Sequence, residues 1–282
     1  MNLFHGNKMK SACLILVFLA MVMVTPGYGA FWFAGVGNDG YIRDVNGIYS
    51  ALSSSPGLGE LQSNRLIREN QNGSAIVETI TGLSNLINPG DTLFWAYSGH
   101  GAHTADADND ESHPSGFAMN TRDETLGLYT DPDQVLDDDL AQAFSGLAGN
   151  GTTIITLFDA CHSGGLIGGS QDLNSVPGLT FMGSSMETEL SYAYTGEPYS
   201  IFTQALVSGL VNLGADENKD NILSAREWFD FAFQHTVGDV SGQHPVFWGD
   251  EDLVIVNASQ VPLPGSFLLL GLSFMVLIKI RP

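Results

Sequence analysis

Hydrophobic and polar positions fall into two alternating kinds of block along this 282-residue chain. Runs rich in β-branched and aromatic residues at 31–36, 92–97, 152–158, 179–183 and 254–256, with a shorter one at 65–68, are bounded by turn residues and read as strands. Between them lie helical spacings. Val45, Ile48, Tyr49 and Leu52 recur at three and four residues, and Asp44 ahead of them is a favourable N-terminal cap. Ile76, Ile80, Leu83 and Ile87 share one face of a helix capped by Ser74. Residues 136–147 make a third helix, with Asp137, Asp138 and Asp139 in the first turn where the dipole favours negative charge. A fourth runs over 200–213. Strands alternating with helices predict an α/β domain built on a mostly parallel sheet covered on both faces. The polar, acidic stretch 102–134 interrupts the alternation as a long surface loop or a small subdomain.

The two ends follow different rules. Residues 1–30 carry Lys8 and Lys10, then an apolar stretch over 12–24, then Pro26-Gly27-Tyr28-Gly29-Ala30. That order is a signal peptide cleaved near Ala30, its apolar part short for a membrane span; a retained anchor is the alternative. At the other end Val261-Pro262-Leu263-Pro264-Gly265 precedes an apolar run and a basic stop at Lys279 and Arg281. As plain chemistry this is a short tail helix. The organisation expected is therefore 1–30 signal peptide, 31–256 folded domain, 257–282 tail.

Charge changes the picture next. Four of the 10 Lys and Arg sit in the ends, leaving six against all 31 Asp and Glu, a charge of −25 between them. Such a field repels nucleic acid and anionic lipid and favours cations and basic peptides. Of the two cysteines, Cys13 falls in the signal, so the mature chain owns a single thiol, Cys161. An exported protein that keeps one unpaired cysteine has a free reactive thiol.

That thiol sits at the C-terminal end of a predicted strand, in Asp159-Ala160-Cys161-His162-Ser163-Gly164-Gly165. A second strand ends in Tyr97-Ser98-Gly99-His100-Gly101. Strand ends on that edge are where α/β folds build sites. A cysteine nucleophile needs a base, for which His100 is the candidate, and backbone donors for an oxyanion. A buried structural cysteine and a satisfied histidine explain each residue singly; the paired strand–turn frames favour a site.

The two blocks resemble the catalytic segments of caspase-like cysteine peptidases, of the bacterial metacaspase type, over roughly residues 31–256. The resemblance implies a three-layer caspase-like α/β fold and an endopeptidase acting on protein or peptide substrates. It implies Cys161 as nucleophile, His100 as general base or acid, and the N–H groups of Gly101 and Cys161 as oxyanion donors. It further implies cleavage after Arg or Lys through acidic pocket residues. Asp159 matches one of these and Asp44 the other, where the helix cap is the competing role. Arg122 is the most exposed-looking point for self-cleavage. His103, His113 and His162 read as structural. The tail, in turn, is similar to a PEP-CTERM sorting signal, which implies transient membrane association, an exosortase-type partner and a surface or matrix destination.

A second motif lies at 216–227. Oxygen ligands fall at Asp216, Asn218, Asp220, the Ile222 carbonyl, Ser224 and Glu227, the spacing of an EF-hand loop for Ca²⁺. Asn221 stands where Gly is usual and tolerates the left-handed conformation. A solvated acidic turn is the plainer alternative. Asp106, Asp108 and Asp110 suggest another calcium site, and Asp123 with Asp138 and Asp139 loosely match the carboxylates that the family resemblance implies for calcium activation. The aspartate the family carries just after the nucleophile is not found near Gly168 and Gly169, with Asp172 beyond. The rival to an active enzyme is a catalytically lapsed, calcium-binding surface protein of the same fold.

Overall fold

The architecture is known from a computed structural model that describes residues 29–56, 58, 61, 63–105 and 122–260. Residues 1–28 of the signal segment, the tail from Val261 on, the Asp106–Asp110 carboxylates and His113 lie outside the described residues. Among the described residues, no helix is long and apolar enough to cross a membrane.

Six strands form the central sheet. β1 (Phe31–Gly37), β2 (Arg65–Glu69), β3 (Thr92–Ser98), β7 (Thr153–Asp159) and β8 (Leu179–Gly183) run parallel, and β10 (Val246–Trp248) joins antiparallel at one edge. The order is β10-β8-β7-β3-β1-β2, so β3 and β7 lie side by side in the middle. Alternate side chains of each strand go to opposite faces, which separates the core in two. Phe94 and Ala96 of β3 pack with α1 (Ile42–Ser53), α4 (Ile201–Leu210) and α5 (Ala225–Asp239), through Ile48, Phe202 and Trp228. Leu93, Trp95 and Tyr97 pack with α2 (Gly73–Gly82) and α3 (Asp137–Ala148), through Ile80 and Phe144. The result is the three-layer α/β arrangement expected, with a mostly parallel sheet.

Several boundaries differ from the sequence reading. The first helix begins at Ile42, its N-cap Tyr41 makes no side-chain cap bond, and Asp44 sits inside the first turn. Asp44 is not a cap because its carboxylate reaches across the molecule instead. Ser74 is not a cap either: Asn72 accepts the N–H of Ala75, and the helix gives way to a 3₁₀ turn at Leu83–Asn85. His100 does not end β3. It opens β4 (His100–His103), which forms a small antiparallel sheet with β5 (Glu124–Gly127) and β6 (Val135–Leu136). Part of 102–134 is thus ordered structure. The last predicted strand, β11 (Val254–Asn257), pairs with β9 (Ile222–Ser224) in a two-stranded ribbon rather than with the central sheet.

Candidate active site

Ser98 and Asp159 are register partners at the ends of β3 and β7, so His100 and Cys161 each leave the sheet two residues past the same pairing. The two turns are tied together. Gly99 N–H donates to the Asp159 carbonyl at 3.2 Å, and the buried Tyr97 hydroxyl donates to the His100 carbonyl at 2.9 Å. A Cβ on Gly99 would lie 2.8 Å from that hydroxyl, and one on Gly101 2.0 Å from the Cys161 carbonyl. Backbone passes that close only where there is no side chain. Gly101 therefore packs directly on the Cys161 peptide. The rings of Tyr41 and Tyr129 flank the His100 imidazole, their centroids 6.0 and 4.8 Å from its own. Neither tyrosine belongs to a motif, and nothing in the sequence marks them.

Cys161 is half-buried, and its Sγ–H points to the Ser191 carbonyl at 3.8 Å. Burial pushes the thiol's pKa up, and the negative charge of Asp159 adds to this. After Cys161, His162 adopts the left-handed conformation (φ 64°), and its N–H donates to Glu189 O at 2.9 Å. Its ring stands edge-on to His103, with centroids 4.8 Å apart, and the Arg122 guanidinium lies against His103. His103 is exposed and His162 half-buried.

Beneath the turn sit the two acids. Asp44 is 1% exposed and accepts from Ser98 Oγ (2.7 Å), Ser200 Oγ (2.6 Å) and Ser200 N (3.0 Å). Asp159 is 3% exposed and accepts from Ser191 Oγ (2.7 Å), Thr203 Oγ1 (2.6 Å) and Thr203 N (3.1 Å). Ser200 and Thr203 belong to the start of α4, whose N–H groups favour carboxylates. Burial raises the Asp159 carboxyl to about 6, and the neighbouring Asp44 carboxylate pushes in the same direction. Two acids 115 positions apart in sequence thus lie buried close enough to couple electrostatically, and Asp159 stands two residues before Cys161. Ser191, Ser200 and Thr203 were missed in the sequence because single hydroxyls in a polar loop carry no pattern.

Two places hold oxygen ligands. In the 216–227 loop, Asp216 accepts the N–H groups of Lys219 and Asn221, Asn218 that of Asp220, and Asp220 that of Ile222. Asn221 is left-handed (φ 66°), as the motif requires at that position. Ser224 and Glu227 cap α5 reciprocally, so the Glu227 carboxylate turns toward the helix. The second place is a buried group, Asp137, Asp138 and Asp172, with one ligand atom from each within 4.8 Å of the others. Burial and the Asp172 charge raise Asp137 to about 8. Three carboxylates at that spacing form a hard-oxygen donor set suited to a divalent cation. Asp139 is not among the three. Asp172 follows the 3₁₀ turn at Ser163–Ile167 and precedes the one at Leu173–Ser175, and so comes close to Asp137 and Asp138.

Part of the chain is similar in sequence to known proteins, and its fold to a solved structure. Residues 38–169 match the family "Metacaspase, peptidase C14 domain". The chain is 36% identical over 81 residues to Metacaspase-1 of Schizosaccharomyces pombe, covering 28% of this chain and 17% of that protein. It is 30% identical over 133 residues to Metacaspase-1 of Saccharomyces cerevisiae, covering 44% and 29%. The chain thus spans less than a third of the length of either relative. Protein GSU0716 of Geobacter sulfurreducens has a similar fold, with a TM-score of 0.54 at 16% identity, covering 78% of this chain and 92% of that one. The matched segment contains His100, Cys161, Asp44 and Asp159, and the matches support a caspase-like cysteine peptidase.

Proposed function

We propose that this chain is a cysteine endopeptidase that cleaves peptide bonds after Arg or Lys. The observation that carries the reading is the buried Asp44–Asp159 pair directly behind Cys161, with His100 leaving the adjacent strand. A guanidinium or ammonium entering that pocket would meet carboxylates already fixed by four hydroxyls.

Because burial disfavours the thiolate, catalysis calls for a base at the moment of attack. His100 takes the Sγ proton as the Sγ–carbonyl carbon bond forms, and the carbonyl oxygen becomes an oxyanion facing the N–H groups of Gly101 and Cys161. The intermediate collapses, the C–N bond breaks, and His100 returns the proton to the leaving amine. Water, activated by the same imidazole, then hydrolyses the thioester and frees the acid.

Calcium is part of the same proposal. Asp216, Asn218, Asp220, the Ile222 carbonyl, Ser224 and Glu227 would hold one ion beside α5, and Asp137, Asp138 and Asp172 would hold another. A bound ion there would supply charge neutralisation between carboxylates and rigidity. We further propose export by the N-terminal signal and processing of the tail by an exosortase-type enzyme, with transient membrane association.

The test uses fluorogenic Arg, Lys and Asp peptides with calcium, and Cys161→Ala as control. Cleavage of the basic peptides alone is expected; preference for Asp would overturn the pocket assignment. The lapsed-enzyme reading draws on the thiol's raised pKa. A peptidyl-Arg chloromethyl ketone separates the two: an active site alkylates Cys161 far faster than iodoacetamide does, a lapsed one no faster.

A further inference from the structure

Outside the matched segment, the loop between α5 and β10 sends one fully buried polar side chain toward the site. Gln243 is 0% exposed, and three of its hydrogen bonds are accounted for. Its Nε2 donates to the Ser184 carbonyl at 3.0 Å and to Ser191 Oγ at 3.2 Å, and its Oε1 accepts the Tyr192 N–H at 3.1 Å. The backbone partners fix the amide's orientation, since a carbonyl can only accept and an N–H only donate. Having accepted from Gln243, Ser191 Oγ turns its own hydrogen to Asp159 Oδ1, 2.7 Å away.

Both ends of this bridge hold the nucleophile. Ser184 Oγ accepts the Ala160 N–H and donates to the Ala160 carbonyl, both at 3.1 Å. Ser191 bonds Asp159 through its hydroxyl and receives the Cys161 thiol at its carbonyl. One amide therefore closes a ring around Asp159, Ala160 and Cys161. Its neighbour His244 grips the same loop from outside, its N–H and Nδ1 at 2.7 and 2.6 Å from the Glu189 carboxylate.

We propose that Gln243 is a positioning residue that sets, through Ser191, both the aim of the Asp159 carboxylate and the cover over the Cys161 thiol. The role deepens the peptidase reading and rests on it for its kinetic arm. It works at a distance: Gln243 touches no reacting atom, and a loop far along the chain thereby joins nucleophile to pocket.

The test compares wild type with Gln243→Met, which keeps the shape and loses every bond, with Ser191→Ala, and with the double variant. In Gln243→Met the loop over Cys161 loosens, so the pH midpoint for iodoacetamide alkylation falls. KM for an Arg peptide rises about tenfold, the scale of one lost bond to a charged group, and kcat changes less. Because both act through Ser191, the combined KM effect of the double variant falls well short of the product of the two. A folded Gln243→Met with wild-type alkylation profile and KM, or effects that simply multiply, would overturn the proposal. Should Gln243→Met fail to fold, Gln243→Glu, which keeps the acceptor facing Tyr192 N–H, is read by the same criteria. A wild type that cleaves no peptide sinks the peptidase reading alone. The alkylation profiles then still decide the positioning role.

Discussion

Asp159 carries two demands that pull in opposite directions. As a buried acid it favours its proton up to about pH 6, and as half of the proposed pocket for a cation it would have to lose it. The sign follows from linkage. A carboxyl whose folded pKa is raised contributes stability present below its unfolded value, lost as pH climbs through the folded one. Substrate binding runs the other way, because a cationic side chain rewards the ionised form. KM for an Arg peptide is therefore expected to fall as pH rises through about 6, while in Asp159→Asn the inflection disappears and preference for basic peptides with it. A pH series of initial rates checks this, and an unchanged inflection in the variant would assign it to another group. Of this pair the family resemblance singled out Asp159 by its place two residues before Cys161. Asp44 stayed ambiguous there because a helix-start aspartate has the same pattern whether it caps its own helix or reaches Ser98 and Ser200, and only packing separates the two.

At the scale of elements, the turns were legible where a backbone conformation restricts the residue type. Asn221, left-handed at φ 66°, is such a place. Replacing it by Ala is expected to cost about 1 kcal/mol, the steric penalty of the left-handed region, whereas Asn221→Gly should be close to neutral. Melting curves of the two variants test this; equal losses would mean the side chain amide, not the backbone, sets the loop. Less legible was α4. Its run of apolar residues announced a helix, but not that its first N–H groups would be satisfied by acids from α1 and β7. Likewise the three-residue β10 was invisible, since Val246–Trp248 is too short to show an alternation.

For the whole molecule, the acidic body is the dominant charge term. Asp137 is held protonated to about pH 8 by burial and by Asp172, so a divalent cation there must displace a proton. Calcium is expected to raise the melting temperature, and near pH 7 its binding should release protons, measurable by titration calorimetry in buffers of different ionisation heat. Asp137→Asn should abolish that release. Proton release that persists in the variant would exclude this cluster as its source. The elements that complete the site extend past the family-matched segment at 38–169, since Ser191, Ser200, Thr203 and Gln243 all come later in the chain.

What the sequence determined by itself was local: strands from short apolar runs, helices from their period, and the two strand–turn frames that carry His100 and Cys161. These follow from side-chain size and backbone restriction within a few residues. Tertiary structure alone decided which distant groups meet. Asp44 with Asp159, Asp137 with Asp172, and Gln243 with Ser191 are hydrogen-bonded or charge-coupled across 35 to 115 positions. A buried polar group takes whichever partner the packed layers bring within 3 Å, and no periodicity in one dimension encodes that choice.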